Sequence, residues 1–188
     1  MIQQEKIFSK EECEKIINYS KLENNEPVFN FTNNKIGKYK DNKITFGKDA
    51  SYNVYMLYNT LETEWMFDKL LNWFSNKTNI PLNENVRHDF CTLHKYEVGD
   101  KFIKHIDLSK GFEDRRYNIG IQLNDEYDGG EYVCWDKGNE IILSKEVGTA
   151  LFYHCRVEHE IKEITKGYRW SIVMPIHNWE IIENKSIL

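Results

Sequence analysis

From Val86 onward the chain changes rhythm. Tyr117, Ile119, Ile121 and Leu123 alternate with Asn118, Gly120 and Gln122, the period-two pattern of a half-buried strand. Turn signals recur at Glu97-Val98-Gly99-Asp100, Asp128-Gly129-Gly130 and Lys166-Gly167. Gly and Asp accept the backbone conformations that reverse a chain. These signals leave strand candidates at roughly 86–96, 101–107, 116–124, 131–135, 140–143, 149–155, 157–164 and 168–177. About eight short strands in succession imply a sheet folded over itself as a jelly roll.

The N-terminal part has a different period. Ser9-Lys10-Glu11-Glu12 has the spacing of a capping box, and Cys13, Ile16, Ile17 and Ser20 follow at helical intervals. A second helix fits residues 62–75, where Trp65, Met66, Leu70, Trp73 and Phe74 form an apolar stripe, and Asn79-Ile80-Pro81 stops it. Such a stripe predicts core packing. Between the helices, Asn24 to Ala50 is rich in Asn, Lys and Gly and holds no apolar period. It predicts a long loop or weak hairpin. Phe29, Phe31, Tyr39 and Phe46 within it suit a mobile lid that covers substrate, the alternative being a static loop whose aromatics pack on the N-terminal helices.

The expected fold is therefore α+β, mainly β: a double-stranded β-helix with N-terminal helices packed on one side. One domain is expected over residues 1–188, with a core at about 86–178 and helical support plus the lid in 1–85.

Composition narrows the function. Hydrophobic residues make up 40% of 188, enough for a substantial core and too many for a disordered chain. A formal net charge of −5 leaves no generally basic surface, so nucleic acid is an unfavoured partner. No run approaches the ~20 apolar residues of a membrane helix. The opening Met-Ile-Gln-Gln-Glu-Lys lacks the apolar core of a signal peptide. Cys13, Cys91, Cys134 and Cys155 form no C-x-x-C pair and are expected to be free thiols in a reducing cytoplasm. Nothing in the sequence speaks to oligomeric state.

Of the six histidines, His105 stands out in Phe102-Ile103-Lys104-His105-Ile106-Asp107. Side chains two apart on a strand share a face, so His105 and Asp107 can reach one metal ion. A third ligand from a distant strand would complete a two-histidine, one-carboxylate face with open positions, as non-haem iron(II) oxygenases use. H-x-D alone is a common pattern. His159, followed ten residues on by Arg169, adds to it. A strand from His159, a turn at Thr165-Lys166-Gly167 and a returning strand would carry Arg169 back toward His159, with Arg169, Ser171 and Val173 on one face. A guanidinium there can grip a carboxylate through two parallel hydrogen bonds.

Leu93 to Ile176 resembles the catalytic core of the prolyl-4-hydroxylase-like branch of the 2-oxoglutarate/Fe(II) dioxygenases. The resemblance rests on Tyr96-Glu97-Val98-Gly99, His105-Ile106-Asp107, Gly129-Gly130-Glu131, Gly148-Thr149-Ala150-Leu151-Phe152, His159 and Arg169, in that order. It implies His105, Asp107 and His159 as iron ligands and Arg169 as partner of the distal carboxylate of 2-oxoglutarate. Tyr96 stands where the family often sets a hydroxyl on the same co-substrate, and Ser171 shares a face with Arg169. Two positions depart from the pattern. Phe102 replaces a tyrosine of many relatives, and Gln122 stands where some place another, although an amide can still donate a hydrogen bond. His94 shares a face with Thr92 and Tyr96 and is expected to border the pocket. His154 and His177 lack the context of ligands, and His88 is expected at the surface.

The implied activity is hydroxylation of a C–H bond with release of succinate and CO2. It uses Fe(II), 2-oxoglutarate as co-substrate and O2, with ascorbate as an accessory reductant. A prolyl or other peptide side chain is the leading substrate, and a free amino acid or small metabolite the alternative. A non-catalytic jelly-roll binding module and a zinc hydrolase are the competing classes.

Overall fold

The computed structural model describes residues 2–21, 38–40, 43–45, 50–82, 86–87, 90–107 and 114–178. Its elements run β1 (Ile2–Lys6), α1 (Lys10–Asn18), a 3-10 turn (Tyr19–Lys21), β2 (Lys38–Lys40), β3 (Lys43–Thr45), β4 (Ala50–Tyr58), α2 (Glu64–Thr78), β5 (Val86–Arg87) and β6 (Phe90–Tyr96). They continue with β7 (Lys101–His105), β8 (Arg115–Gln122), β9 (Tyr127–Gly129), β10 (Tyr132–Asp136), β11 (Asn139–Ile142), β12 (Thr149–His154), β13 (Glu158–Ile161), β14 (Ile164–Gly167) and β15 (Arg169–Asn178). Most of the expected lid, and His88, lie outside the described residues. Within that segment β2 and β3 pair antiparallel, Lys38 opposite Thr45, and β3 pairs in turn with β4.

One antiparallel sheet runs in the order β1-β12-β8-β15-β6-β4-β7-β13-β10-β11. β4 is its corner. Asn53 to Tyr58 pair with β6, whereas Ala50 and Ser51 pair with Phe102 and Lys101 of β7. The sheet therefore curls into a roll, with β1, β12, β8, β15 and β6 forming one wall and β7, β13, β10 and β11 the other.

The helices close the outer face of the first wall. The Ser9 hydroxyl accepts from the Glu12 N–H and the Glu12 carboxylate accepts from the Ser9 N–H, so the expected capping box is formed. α2 buries Met66, Phe67, Leu70, Leu71, Trp73 and Phe74, and ends where Asn79 turns left-handed. Phe152 from β12 packs edge-on against Trp73 and Phe74, with ring centroids 5.3 and 5.2 Å away. Cys91, Leu93, Ile119, Ile121, Ile172, Met174 and Ile176 complete this core. A second core fills the roll itself, built from Tyr52, Val54, Tyr96, Tyr127, Tyr132, Leu151, Tyr153 and Ile161, among others.

Two expectations are corrected. β8 is buried on both faces: Asn118, Gly120 and Gln122 are as enclosed as Ile119 and Ile121. Its polar face turns into the roll, not to water. The returning hairpin between His159 and Arg169 does not form. β13 pairs with β7 and β10, whereas β15 pairs with β6 and β8. The intervening β14 leaves to pair with β9. His159 and Arg169 thus belong to opposite walls.

The glycines of two motifs are structural. Gly148 has φ +84°, and a Cβ there would lie 2.0 Å from the Phe8 carbonyl oxygen. That carbon is denied because the Ile7 and Phe8 N–H groups both bond the Gly148 oxygen, tying the lead-in to α1 onto β12. Gly129 and Gly130 let the β9 turn press against Glu163 and Ile164 in the same way. Gly148→Ala should therefore cost about 2–4 kcal/mol of stability. The expected result in denaturant titration is a lower midpoint at unchanged slope.

Candidate metal centre and anion pocket

β7 and β13 are neighbours, and their register sets His105 directly opposite His159. Asp107 follows β7 by two residues, where its N–H bonds the Cys155 carbonyl. One donor atom from each of His105, Asp107 and His159 lies within 4.8 Å of the others. His105 Nε2 is 3.5 Å from Asp107 Oδ1, and His159 Nε2 is 3.4 Å from Asp107 Oδ2.

The tautomers follow from the partners. His105 Nδ1 is 2.8 Å from the Ile103 carbonyl and His159 Nδ1 is 3.0 Å from the Val157 carbonyl. A carbonyl oxygen only accepts, so each Nδ1 carries the hydrogen and each Nε2 presents a lone pair inward. This is how backbone carbonyls orient metal-binding imidazoles. Burial pushes His159 down to about 4, which keeps its imidazole neutral.

Asp107 is held by residues the sequence analysis did not single out. Burial alone would raise its pKa. The neighbouring His105, His159 and Arg115 side chains outweigh that and hold the carboxyl well below the usual range. Asn118 donates to Asp107 Oδ2, and Arg115 Nη2 lies 3.5 Å from the same oxygen. Arg115 Nε also donates to Asn118 Oδ1 at 2.6 Å, fixing the amide's orientation. The signal for Asn118 was present: it shares the inward face of β8 with Gln122.

Arg169 is 2% exposed. Its Nη1 donates to the Ser171 hydroxyl at 2.6 Å, and its Cζ lies 5.7 Å from the rings of both Tyr96 and Tyr132. Its Nε has no hydrogen-bond partner, and among the described residues no carboxylate pairs with it. Ser171, as acceptor from Arg169, keeps its own O–H to donate. A buried cation with spare donors beside it fits a carboxylate. Three donors, two neutral nitrogens and an ionised oxygen, fit a divalent metal with open positions.

The other expected residues are placed as follows. Tyr96 stacks on Tyr52 with centroids 5.1 Å apart. Gln122 lies opposite Ser171, but its Nε2 donates to the Asn124 carbonyl and, at 2.8 Å, to the Tyr127 hydroxyl. Phe102 stacks on His105 at 3.7 Å. His94 borders the roll against Tyr52, 4.7 Å between centroids. His177 pairs with Asp114 at 2.9 Å, and the His154 ring meets Tyr117 edge-on. Tyr132 and Tyr153, unmarked in the sequence analysis, converge on the centre: Tyr132 donates to the Tyr153 hydroxyl, which is 3.3 Å from both Asp107 Oδ2 and His159 Nε2.

The model of the family described as the 2OG-Fe(II) oxygenase superfamily matches residues 91–177. That match spans 87 of the 188 residues and is a likeness to the family over that stretch. A prolyl hydroxylase from Trichoplax adhaerens, solved with a hypoxia inducible factor oxygen degradation domain peptide fragment, shares 14% identity. It covers 96% of this chain and 84% of its own, with TM-score 0.66. A Pseudomonas putida prolyl-4-hydroxylase shares 13%, over 94% of this chain and 92% of its own, TM-score 0.65. The viral collagen prolyl hydroxylase of Paramecium Bursaria Chlorella virus-1, solved with 2OG, shares 13%, over 94% and 96%, TM-score 0.63. At these identities the likeness is one of fold. No curated protein matches the chain by sequence.

His94 gives the pocket a measurable acid sensitivity. Burial, and then the Arg169 charge, push it down to about 3. Below the unfolded value near 6.5 the unfolded chain takes up a proton that the folded chain refuses until about pH 3. Stability therefore falls as pH falls through that window. His94→Gln in metal-free protein should reduce the slope of unfolding free energy against pH by about 1.4 kcal/mol per unit between pH 6 and 4. An unchanged slope would show that His94 is protonated in the folded state.

Proposed function

We propose that the protein is an iron(II)- and 2-oxoglutarate-dependent hydroxylase acting on a prolyl or other side chain of a peptide. The observation that carries this reading is the pairing of two features in one roll. One is a His-Asp-His face, and the other is a buried arginine with no carboxylate partner among the described residues. A metal hydrolase has no evident use for the second.

His105, Asp107 and His159 would hold the iron, with Asn118 and Arg115 keeping the carboxylate aligned. Arg169 and Ser171 would hold the distal carboxylate of 2-oxoglutarate by charge and hydrogen bonds. Iron, co-substrate and O2 together supply an oxidation that converts 2-oxoglutarate to succinate and CO2 and places one oxygen on a substrate C–H carbon. The chain itself supplies orientation and a dry wall. Tyr52, Phe102, Tyr132 and Tyr153 line the roll and limit water around the reacting groups. The peptide substrate is supported by the fold shared with prolyl hydroxylases, one of them solved with a peptide. Four buried, unpaired cysteines support a reducing compartment.

Purified protein with Fe(II), ascorbate and 2-oxoglutarate should form succinate, and proline-containing peptides should gain one oxygen by mass. A gain on a free amino acid and not on peptides would move the substrate to the metabolite class. His105→Ala or Asp107→Ala should abolish succinate formation with the fold retained, because either leaves too few donors for the metal. Undiminished succinate in both variants would refute the metal face.

Arg169→Ala should weaken 2-oxoglutarate binding by about 100-fold or more, as a partly desolvated charged contact is lost. Arg169→Lys should recover only part, since an ammonium cannot present the planar fork. Calorimetric titration of the metal-loaded variants reads both. Unchanged affinity in Arg169→Ala would place the co-substrate elsewhere.

A further inference from the structure

The hydroxyl accounting around the centre leaves one donor with only long contacts. Tyr132 gives its hydrogen to the Tyr153 oxygen, so the Tyr153 hydrogen must go elsewhere. Two acceptors are in reach, Asp107 Oδ2 and His159 Nε2, both at 3.3 Å. Both separations are long for a hydroxyl hydrogen bond, whose usual range is about 2.5–3.0 Å. A metal would take the second acceptor, because the His159 lone pair would point at it. Asp107 Oδ2, which also accepts from Asn118, would then keep only the long contact from Tyr153. Tyr153 is 1% exposed, so bulk water offers no ready substitute.

Tyr132 continues the same line. Its ring lies 5.7 Å from the His159 ring and 5.7 Å from Arg169 Cζ. It therefore spans from the metal face to the buried guanidinium. Meanwhile two positions expected to bring pocket donors do not. Phe102 has no hydroxyl, and Gln122 spends its amide on Asn124 and Tyr127.

We propose that Tyr153, backed by Tyr132, is a co-substrate-binding residue that donates a hydrogen bond to the 2-oxo acid head at the metal, replacing from β10 and β12 the hydroxyls missing at positions 102 and 122. This rests on the oxygenase reading above. Tyr153 meets the metal end of the ligand and Arg169 the far end. Tyr132 acts through Tyr153 and is a positioning residue.

The test separates the two ends. Protein loaded with Mn(II) is titrated anaerobically with 2-oxoglutarate and with pyruvate, which keeps the 2-oxo acid head and lacks the distal carboxylate. Water-proton relaxation reports displacement of water from the metal. Tyr153→Phe keeps the ring and removes only the hydroxyl. It should weaken both ligands by about tenfold, the size of one hydrogen bond to a charged group. Arg169→Ala should weaken 2-oxoglutarate alone. Tyr132→Phe, a milder change that still works if Tyr153→Phe fails to fold, should weaken both ligands by about threefold. Unchanged affinities in the tyrosine variants, with 2-oxoglutarate still bound by the parent, overturn the Tyr153 assignment and leave the oxygenase reading standing. Loss of 2-oxoglutarate with pyruvate untouched in Tyr153→Phe also overturns it, since the hydroxyl would then belong to the distal end. A parent protein that binds no 2-oxoglutarate refutes the oxygenase reading itself.

Discussion

The arrangement depends on strands that are buried on both faces with opposite chemistry. On β6, β8, β12 and β15 one face carries Leu93, Ile119, Phe152 and Ile172 to the helices. The other carries His94, Asn118, Tyr153 and Arg169 into the roll. A one-residue slip of any of these strands would exchange the two sets. It would drive a guanidinium or an amide into the helix interface and expel apolar groups into the polar interior, each at a cost of several kcal/mol. The packing of α1 and α2 thus fixes the register, and the register aims the polar side chains. Support for the centre comes from a core that touches neither the metal ligands nor Arg169.

Inside the roll the charges are separated by aromatic groups. Asp107 is negative and stays so, because His105, His159 and Arg115 surround it. Arg169 lies on the opposite wall, with Tyr132 between it and His159. Had the two charges been adjacent they would have paired, and the pocket would hold a salt bridge in place of a ligand. Keeping them apart leaves a cation at one end and three metal donors at the other. That polarity suits a ligand whose two ends differ, one a simple carboxylate and the other a chelating head. Arg115 repeats the logic on a smaller scale. It is close enough to Asp107 to favour the ionised form, yet it spends its Nε on Asn118 and so acts as much through geometry as through charge.

The sequence disclosed elements better than partners. Six of the eight strand candidates correspond to single observed strands within a few residues, the 86–96 run divides into β5 and β6, and the 157–164 run into β13 and the start of β14. The capping box named α1 correctly because it is a local device, complete within four residues. β4 escaped notice although Ala50, Tyr52, Val54 and Met56 alternate cleanly on its inward face. The polar stretch before it carries loop composition up to Ala50. The pairing of β13 was misjudged for a physical reason. A strand followed by turn residues normally folds back on itself as a hairpin, but here β13 pairs with β7 and β10 and the intervening β14 pairs with β9. The convergence of His105, Asp107 and His159 was legible because strand spacing and a family motif agree. Arg115, Tyr132 and Tyr153 were not, since no local rule distinguishes an inward polar residue of a two-faced strand from a solvated one, and Asn118 had only its shared face with Gln122 to mark it.

The same residues bear on whether a metal here would serve oxidation or hydrolysis. A metal hydrolase needs a group beside the bound water that takes its proton near neutral pH. The described residues nearest the metal face are poorly suited to that task. Tyr153 and Tyr132 hold their protons, and burial pushes the Cys134 thiol up to about 12. His94 is neutral, yet a value near 3 makes it a feeble base. Its Nε2 hydrogen is fixed as well. Thr92 gives its only hydroxyl hydrogen to the Val173 carbonyl, so His94 Nε2 must donate to Thr92. What surrounds the metal face is a set of neutral donors and aromatic walls. Donors of that kind stabilise an anionic ligand on the metal and ask nothing of its protons. Among the described residues, that environment suits a metal that holds an anionic ligand better than one that needs a base beside its bound water.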